Sequence, residues 1–291
     1  MPPSHRYSCG PDAGRYVGDV SLAEAADRTY TVVTCHFGDL FWVTHTLQQV
    51  DRWSDGRVAS VVVVDQNRSD RAALESLPRV AQVLEFEANA ECVAVLGHDH
   101  PVALNRALGE FAFTTSHVIV LDSDCFPTNP SWLDRLDDVT LAAGPEYLGM
   151  THPCFMAFPV RAIPSLDFFE GVTRFGIDTG RLVGLQMLRA GEELTVLRPG
   201  QPAPFGGTRG QHYLDGTIYH HGSASFVYSL DQRVRRQVKG TIEERYRRRI
   251  AAGSFTVTPA ILVLLGLRRM KMRVRRRAGV VYRAMRRLLT R

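Results

Sequence analysis

Apolar and polar positions alternate in a repeating strand-then-helix rhythm from Tyr30 onward. Tyr30 to Cys35 is a short β-rich run. Leu40, Val43, Leu47 and Val50 follow at helical spacing and mark one buried helix face, with Asp39 placed to cap it. Val58 to Val64 is a near-continuous valine run, the pattern of a strand buried on both faces. Asp70 to Leu77 predicts a short helix and Val80 to Phe86 a third strand. Pro101 suits the first turn of a helix whose apolar face is Leu104, Ala107, Leu108 and Phe111. His117 to Leu121 predicts the fourth strand. Four strands with helical crossovers in about 95 residues imply right-handed connections and an α/β fold, a mainly parallel sheet with helices on both faces.

Beyond the fourth strand the rhythm loosens. Phe155 to Phe158 predicts a strand, Arg181 to Ala190 a helix stopped by Gly191, and Leu194 to Leu197 another strand. The segment 200–210 is rich in glycine and proline and reads as a long loop, a candidate lid. Residues 1–28 are polar and rich in Pro, Gly and Asp, and read as a loose arm. The chain thus divides into an arm (1–28), a catalytic body (29–232) and a tail (233–291).

Charge separates the last two. Residues 1–232 carry 16 Lys/Arg against 28 Asp/Glu, a net −12, whereas 233–291 carry 19 against 2, a net +17. The tail mixes apolar residues Ile261 to Leu265 with Arg273 to Arg277. Farther on, Val280, Val281, Met285, Leu288 and Leu289 interleave with Arg283, Arg286 and Arg287. This is a basic amphipathic helix pattern, suited to an anionic membrane surface. Nucleic acid is the less favoured partner, because aromatic residues are sparse there and no recognition module is visible. No apolar run approaches the ~18 residues of a membrane span, and Met1-Pro2-Pro3 does not open a secretory leader. The five cysteines are odd in number and scattered, as expected of free thiols in a reducing compartment. The expected location is cytoplasmic, peripheral at the inner face of the cell membrane.

In an open parallel sheet the ligand lies beyond the C-terminal strand ends. The polar residues at those ends are Thr34-Cys35-His36, Asp65-Gln66-Asn67 and Asp122-Ser123-Asp124. The last carries the strongest signal. An apolar strand delivers two acids, one residue apart, to the ligand edge, where carboxylate oxygens suit Mn²⁺ or Mg²⁺ and a diphosphate completes the coordination. Tyr219-His220-His221-Gly222-Ser223 is the second constellation: a neutral imidazole can add a ligand, with His220 preferred and His221 as runner-up. His98-Asp99-His100 is assigned a capping or surface role. Arg106 and Arg71 are candidates for phosphate or nucleobase contact. Trp132 either lines an acceptor pocket or packs beneath the loop that follows the acids.

These segments together resemble a family-2-type glycosyltransferase with the Rossmann-like, three-layer glycosyltransferase A fold. Thr31-Val32-Val33-Thr34 is similar to the opening strand that touches the nucleotide. Val61 to Asp70 resembles the segment whose first acid, here Asp65, meets the base, with Asn67 beside it. Asn105 to Glu110 resembles the helix before the acidic strand, and Leu121-Asp122-Ser123-Asp124 the DxD motif. The resemblance covers roughly residues 29–230. It implies that Asp122 contacts the ribose or metal and Asp124 the metal. It also implies an inverting transfer from a nucleotide-diphosphate sugar to a hydroxyl acceptor, and a membrane-anchoring tail would make a lipid-linked or cell-surface saccharide the expected acceptor. The family's Glu-Asp pair before the late helix is replaced by Asp178-Thr179-Gly180, which makes Asp178 the candidate base. Two alternatives stand beside this. A sugar nucleotidyltransferase would carry a Gly-rich, basic phosphate loop after the first strand, where this chain has Cys35-His36-Phe37-Gly38-Asp39. A noncatalytic nucleic-acid or lipid-binding protein on a degenerate transferase scaffold would not need an intact acid pair.

Overall fold

The structure, a computed structural model, describes residues 28–66, 68, 70–86, 99–137, 142–147, 150–170, 179–197, 211–222, 248 and 251–252. Strand β1 (Tyr30–His36) is followed by α1 (Leu40–Trp53), β2 (Val58–Asp65), α2 (Arg71–Glu75), β3 (Val80–Glu85), α3 (Asp99–Glu110) and β4 (His117–Asp122). Then come β5 (Cys125–Pro127), α4 (Trp132–Asp137), β6 (Ala142–Tyr147), β7 (Met150–Thr151), β8 (Phe155–Pro159), α5 (Val183–Arg189), β9 (Leu194–Leu197), β10 (Gln211–Tyr213) and β11 (Ile218–His220). The main sheet runs β3-β2-β1-β4-β8-β6-β7, with β9 on β6. Its first four strands are parallel, β8 joins β4 antiparallel, and β6 pairs antiparallel with β8 and so runs in the direction of the first four. The mainly parallel, three-layer Rossmann-like arrangement expected for a glycosyltransferase A fold is present.

The period-two alternation of the strands explains both layers. Val32, Val61, Val63, Ile119 and Leu121 face one side with Val43, Leu47 and Val50 of α1. Val33, Val62, Val64, Val118 and Val120 face the other, against Ala103, Leu104, Ala107 and Leu108 of α3. Each fully buried valine or leucine contributes roughly 1.5–3 kcal/mol relative to an exposed one. The valine run therefore fixes the register, since a one-residue slip would swap the two faces. Asp39 caps α1, its side chain accepting from the Phe41 N–H. Gly191, at φ +82°, ends the turn after α5, a conformation in which a Cβ is strained.

Strand order reverses between β1 and β4: β2 and β3 lie on one side of β1, and β4 on the other. The crevice beyond their C-terminal ends is the ligand position of such a sheet. A second, three-stranded antiparallel sheet, β10-β11-β5, sits beside this crevice. The sequence pattern did not announce it, because its strands have three residues each. Trp132 takes the packed alternative: it is fully buried, and its indole N–H donates to the Trp53 carbonyl at 2.9 Å. Among the described residues no helix is long and apolar enough to cross a membrane. The tail, the arm up to residue 27 and the 200–210 loop lie outside the described residues, apart from 248 and 251–252.

Candidate metal centre

β4 is buried until its last residue, Asp122, reaches the crevice. The chain then turns through Ser123 and Asp124 into β5, and each residue of that turn is tied down. The Asp122 N–H donates to the Cys154 carbonyl at 3.0 Å. The Thr46 hydroxyl of α1 donates to the Ser123 carbonyl at 2.6 Å. The His221 N–H donates to the Asp124 carbonyl at 3.0 Å. β11 pairs antiparallel with β5 and sets His220 opposite Cys125, one residue beyond Asp124.

The result is a cluster of three. His220 Nε2 lies 3.5 Å from Asp124 Oδ1 and 3.7 Å from Asp122 Oδ2. One ligand atom from each of Asp122, Asp124 and His220 falls within 4.8 Å of the other two. Asp124 and His220 are buried, and Asp122 is partly open. Two hard oxygens and one imidazole nitrogen, open on one side, suit Mn²⁺ or Mg²⁺ with coordination positions left for a ligand or water. Burial disfavours the charged form of His220. The Cys154 sulfur and the Asp124 carboxylate oppose it, and the imidazole is held well above its ordinary pKa. Burial also pushes the Cys154 thiol up, opposed by the neighbouring His220.

Two further histidines border the cluster. His100, given a capping or surface role above, instead places Nε2 3.8 Å from Asp122 Oδ1, because α3 delivers its first turn to the same sheet edge. His152 precedes β8, with its ring 5.8 Å from that of His220. Burial pushes His152 down to about 3, aided by His220, Arg181 and His100 and opposed by Asp124. His152 had no sequence signal, since a histidine before a proline in a loop is unremarkable until β8 is paired with β4.

The other candidates are distributed differently. His221 is fully buried, stacks on Trp42 with ring centroids 4.6 Å apart, and shares a 3.2 Å hydrogen bond between Nδ1 and the Tyr219 hydroxyl. It stands outside the three-residue cluster. Asp65 ends β2, fully buried, and its Oδ2 accepts from the Asp70 N–H at 3.2 Å. His36 Nε2 lies 2.9 Å from Asp70 Oδ2, so His36, Asp65 and Asp70 form a second polar cluster at the same edge. Thr34 is fully buried in β1, and its hydroxyl has no hydrogen-bond partner among the described residues. Arg106 donates to Glu110 at 2.7 Å and to the Glu85 carbonyl at 2.7 Å, bracing α3 against the end of β3. Arg71 is paired with Glu75 and Glu85. Asn67 and Asp178 lie outside the described residues.

Comparison with protein families gives no matching family, and comparison with curated proteins gives no match. Solved structures do show likeness. Glucosyl-3-phosphoglycerate synthase from Mycobacterium tuberculosis, in complex with Mn²⁺, uridine diphosphate and phosphoglyceric acid, is 18% identical with a TM-score of 0.42, covering 60% of this chain and 70% of that one. 4-Diphosphocytidyl-2C-methyl-D-erythritol synthase from Anaerococcus prevotii is 9% identical with a TM-score of 0.41, covering 61% of this chain and 90% of that one.

Proposed function

We propose that this chain is a metal-dependent glycosyltransferase that moves a sugar from a nucleotide-diphosphate donor to a hydroxyl acceptor. The observation that carries this reading is the convergence of Asp122, Asp124 and His220 at the strand-order reversal, drawn from two sheets and nearly a hundred residues apart in sequence. Asp122 and Asp124 hold a divalent cation with His220, and a cation bound there supplies charge neutralisation to a departing diphosphate. Asp65, at the neighbouring strand end, serves the nucleoside, with Asn67 beside it. Asp178 is the proposed base, taking the proton from the acceptor hydroxyl in an inverting transfer.

The finer reading follows the charge map. The basic tail docks on anionic lipid at the inner membrane face, which suits a lipid-linked or cell-surface saccharide acceptor. A sugar nucleotidyltransferase is disfavoured because the Cys35-to-Asp39 turn lacks the Gly-rich, basic phosphate loop such enzymes use. A thermal-shift screen of nucleoside diphosphates and their sugars, with and without Mn²⁺, tests the proposal. A ligand selective for the folded protein raises Tm by mass action, by about 2.7 kcal/mol of stability at a hundred times its Kd. A metal-dependent rise with at least one nucleotide sugar is expected, and no response across the panel would overturn the assignment.

A further inference from the structure

We infer that the apolar positions of the tail segment 280–289 dock on the outer face of α5 and β9, at Leu185, Leu188 and Val196. Docking of this kind needs no sugar transfer, and it gives the tail a second surface besides the lipid proposed above.

α5 is apolar on both sides. Val183, Gly184, Gln186 and Met187 are buried. Leu185 and Leu188, three residues apart and so on one face, are 52% and 51% exposed. A helix that is apolar all round is ordinarily covered all round. The neighbouring strand extends the patch. α5 lies over Leu194 of β9, so closely that a Cβ on Gly184 would meet Leu194 Cδ2 at 3.0 Å. Alternation puts Val196 on that same face of β9, where it is 39% exposed. Among the described residues β9 pairs along one edge, with β6. Large apolar side chains grouped beside an open strand edge mark a surface that something covers.

Charge and chain length choose the occupant. Residues 1–232 carry a net −12, which opposes both a second body and an anionic bilayer here, whereas 233–291 carry +17. Acids flank the patch. Glu192 and Glu193 lie in the turn from α5 to β9, and the Gln186 side chain ties Asp167 and Glu170 to α5. Of the nearby basic groups, Arg161 is held by Glu192 at 2.8 and 2.9 Å, and Arg189 ends the helix. In the tail, Val281, Met285, Leu288 and Leu289 recur at the spacing of one helical face, interleaved with Arg283, Arg286 and Arg287. Between Gly222, just past β11, and Val280 lie 57 residues. At roughly 3.3 Å per extended residue that length exceeds the width of such a body several times over. Attachment in one chain also raises the effective concentration of the segment at the patch, so a modest apolar contact suffices.

Trypsin reads the docking directly, because Arg283, Arg286 and Arg287 lie inside the segment. Full-length parent is compared with Leu185→Gln/Leu188→Gln, at exposed positions where glutamine suits a helix, and with Val281→Gln/Leu288→Gln, which leaves the body intact. Cleavage after the three arginines, followed by mass in the absence of lipid, is expected to speed up about tenfold in either pair at unchanged Tm. If the α5 pair melts below the parent, the tail pair decides. All four substitutions together should cleave no faster than either pair, since both pairs break one contact. Parental cleavage rates in the tail pair overturn the inference, and so do additive effects of the two pairs. Protection that fades as the parent is diluted overturns it in favour of a second copy. Vesicles of phosphatidylcholine and phosphatidylserine in equal parts supply the last arm. Leu185→Gln/Leu188→Gln is expected to bind them about tenfold more tightly than the parent, because its tail is already released. Vesicle binding equal to or weaker than the parent's overturns the inference, and weaker binding makes the two leucines a lipid contact. If neither form binds vesicles while the trypsin results hold, the docking stands and the membrane reading fails.

Discussion

Mn²⁺ binding should release about one proton, and its affinity should climb steeply with pH. Before metal binds, His220 sits between Asp122 and Asp124 with Nε2 3.7 and 3.5 Å from their oxygens, and its pKa is well above 6.5. A metal needs the neutral ring, so below the folded pKa each bound ion must displace that proton. The apparent association constant then rises about tenfold per pH unit, or about 1.36 kcal/mol. The sign for the metal-free protein is opposite. The protonated His220–carboxylate pair contributes stability that is fully present below about pH 6.5, the unfolded value, and is lost as pH rises through the folded pKa. The Mn²⁺-induced rise in Tm should therefore grow with pH. Isothermal titration between pH 6.5 and 8, in buffers of different ionisation enthalpy, measures both the slope and the proton count. His220→Asn should abolish the slope and weaken Mn²⁺ by more than the ten- to hundredfold typical of an outer partner. A pH-independent affinity with no proton release in the parent would refute the assignment of His220 as a ligand.

Gly184→Ala is expected to lower Tm by several degrees, since the new Cβ would meet Thr151 Cγ2 at 2.6 Å and Leu194 Cδ2 at 3.0 Å, an overpacking cost of roughly 1–3 kcal/mol; an unchanged melting curve would contradict this packing of α5. Asp178→Asn should leave Tm and donor affinity near parental while cutting transfer by about two to four powers of ten, and parental turnover would move the base elsewhere. Deleting residues 241–291 should release the protein from anionic vesicles in a salt-sensitive manner while preserving nucleotide-sugar hydrolysis. Equal sedimentation of both forms would remove the membrane role.

The first half of the fold was legible because its strands are long, apolar and buried on both faces. Val58–Asp65 and His117–Asp122 need no partner to identify them. The small sheet was not legible. β5, β10 and β11 are short; β10 and β11 pair as a local hairpin, whereas β11 finds β5 far back in the chain, Ile218 opposite Pro127, which no local period encodes. The acid pair was readable from its strand, and His220 from its Gly- and Ser-rich sequel. Alternation separates the two histidines His220 and His221. On β11 neighbouring residues point to opposite sides, so His220 joins the acids while His221, just past the strand, packs on Trp42. His100 was noticed but given a capping or surface role, because only the approach of α3 brings it to Asp122, and His152 gave no signal, because only the register of β8 on β4 brings it beside His220.

The central claim is that Asp122 and Asp124, with His220, form the metal-dependent donor site of a sugar transferase. Its most direct test measures nucleotide-sugar turnover with and without Mn²⁺ in the parent and in Asp124→Ala, with Tm as the control for folding. The account predicts metal-dependent turnover in the parent, and its loss in a variant that melts as a folded protein. Metal-independent turnover, or an Asp124→Ala enzyme as active as the parent at equal Mn²⁺, would contradict it.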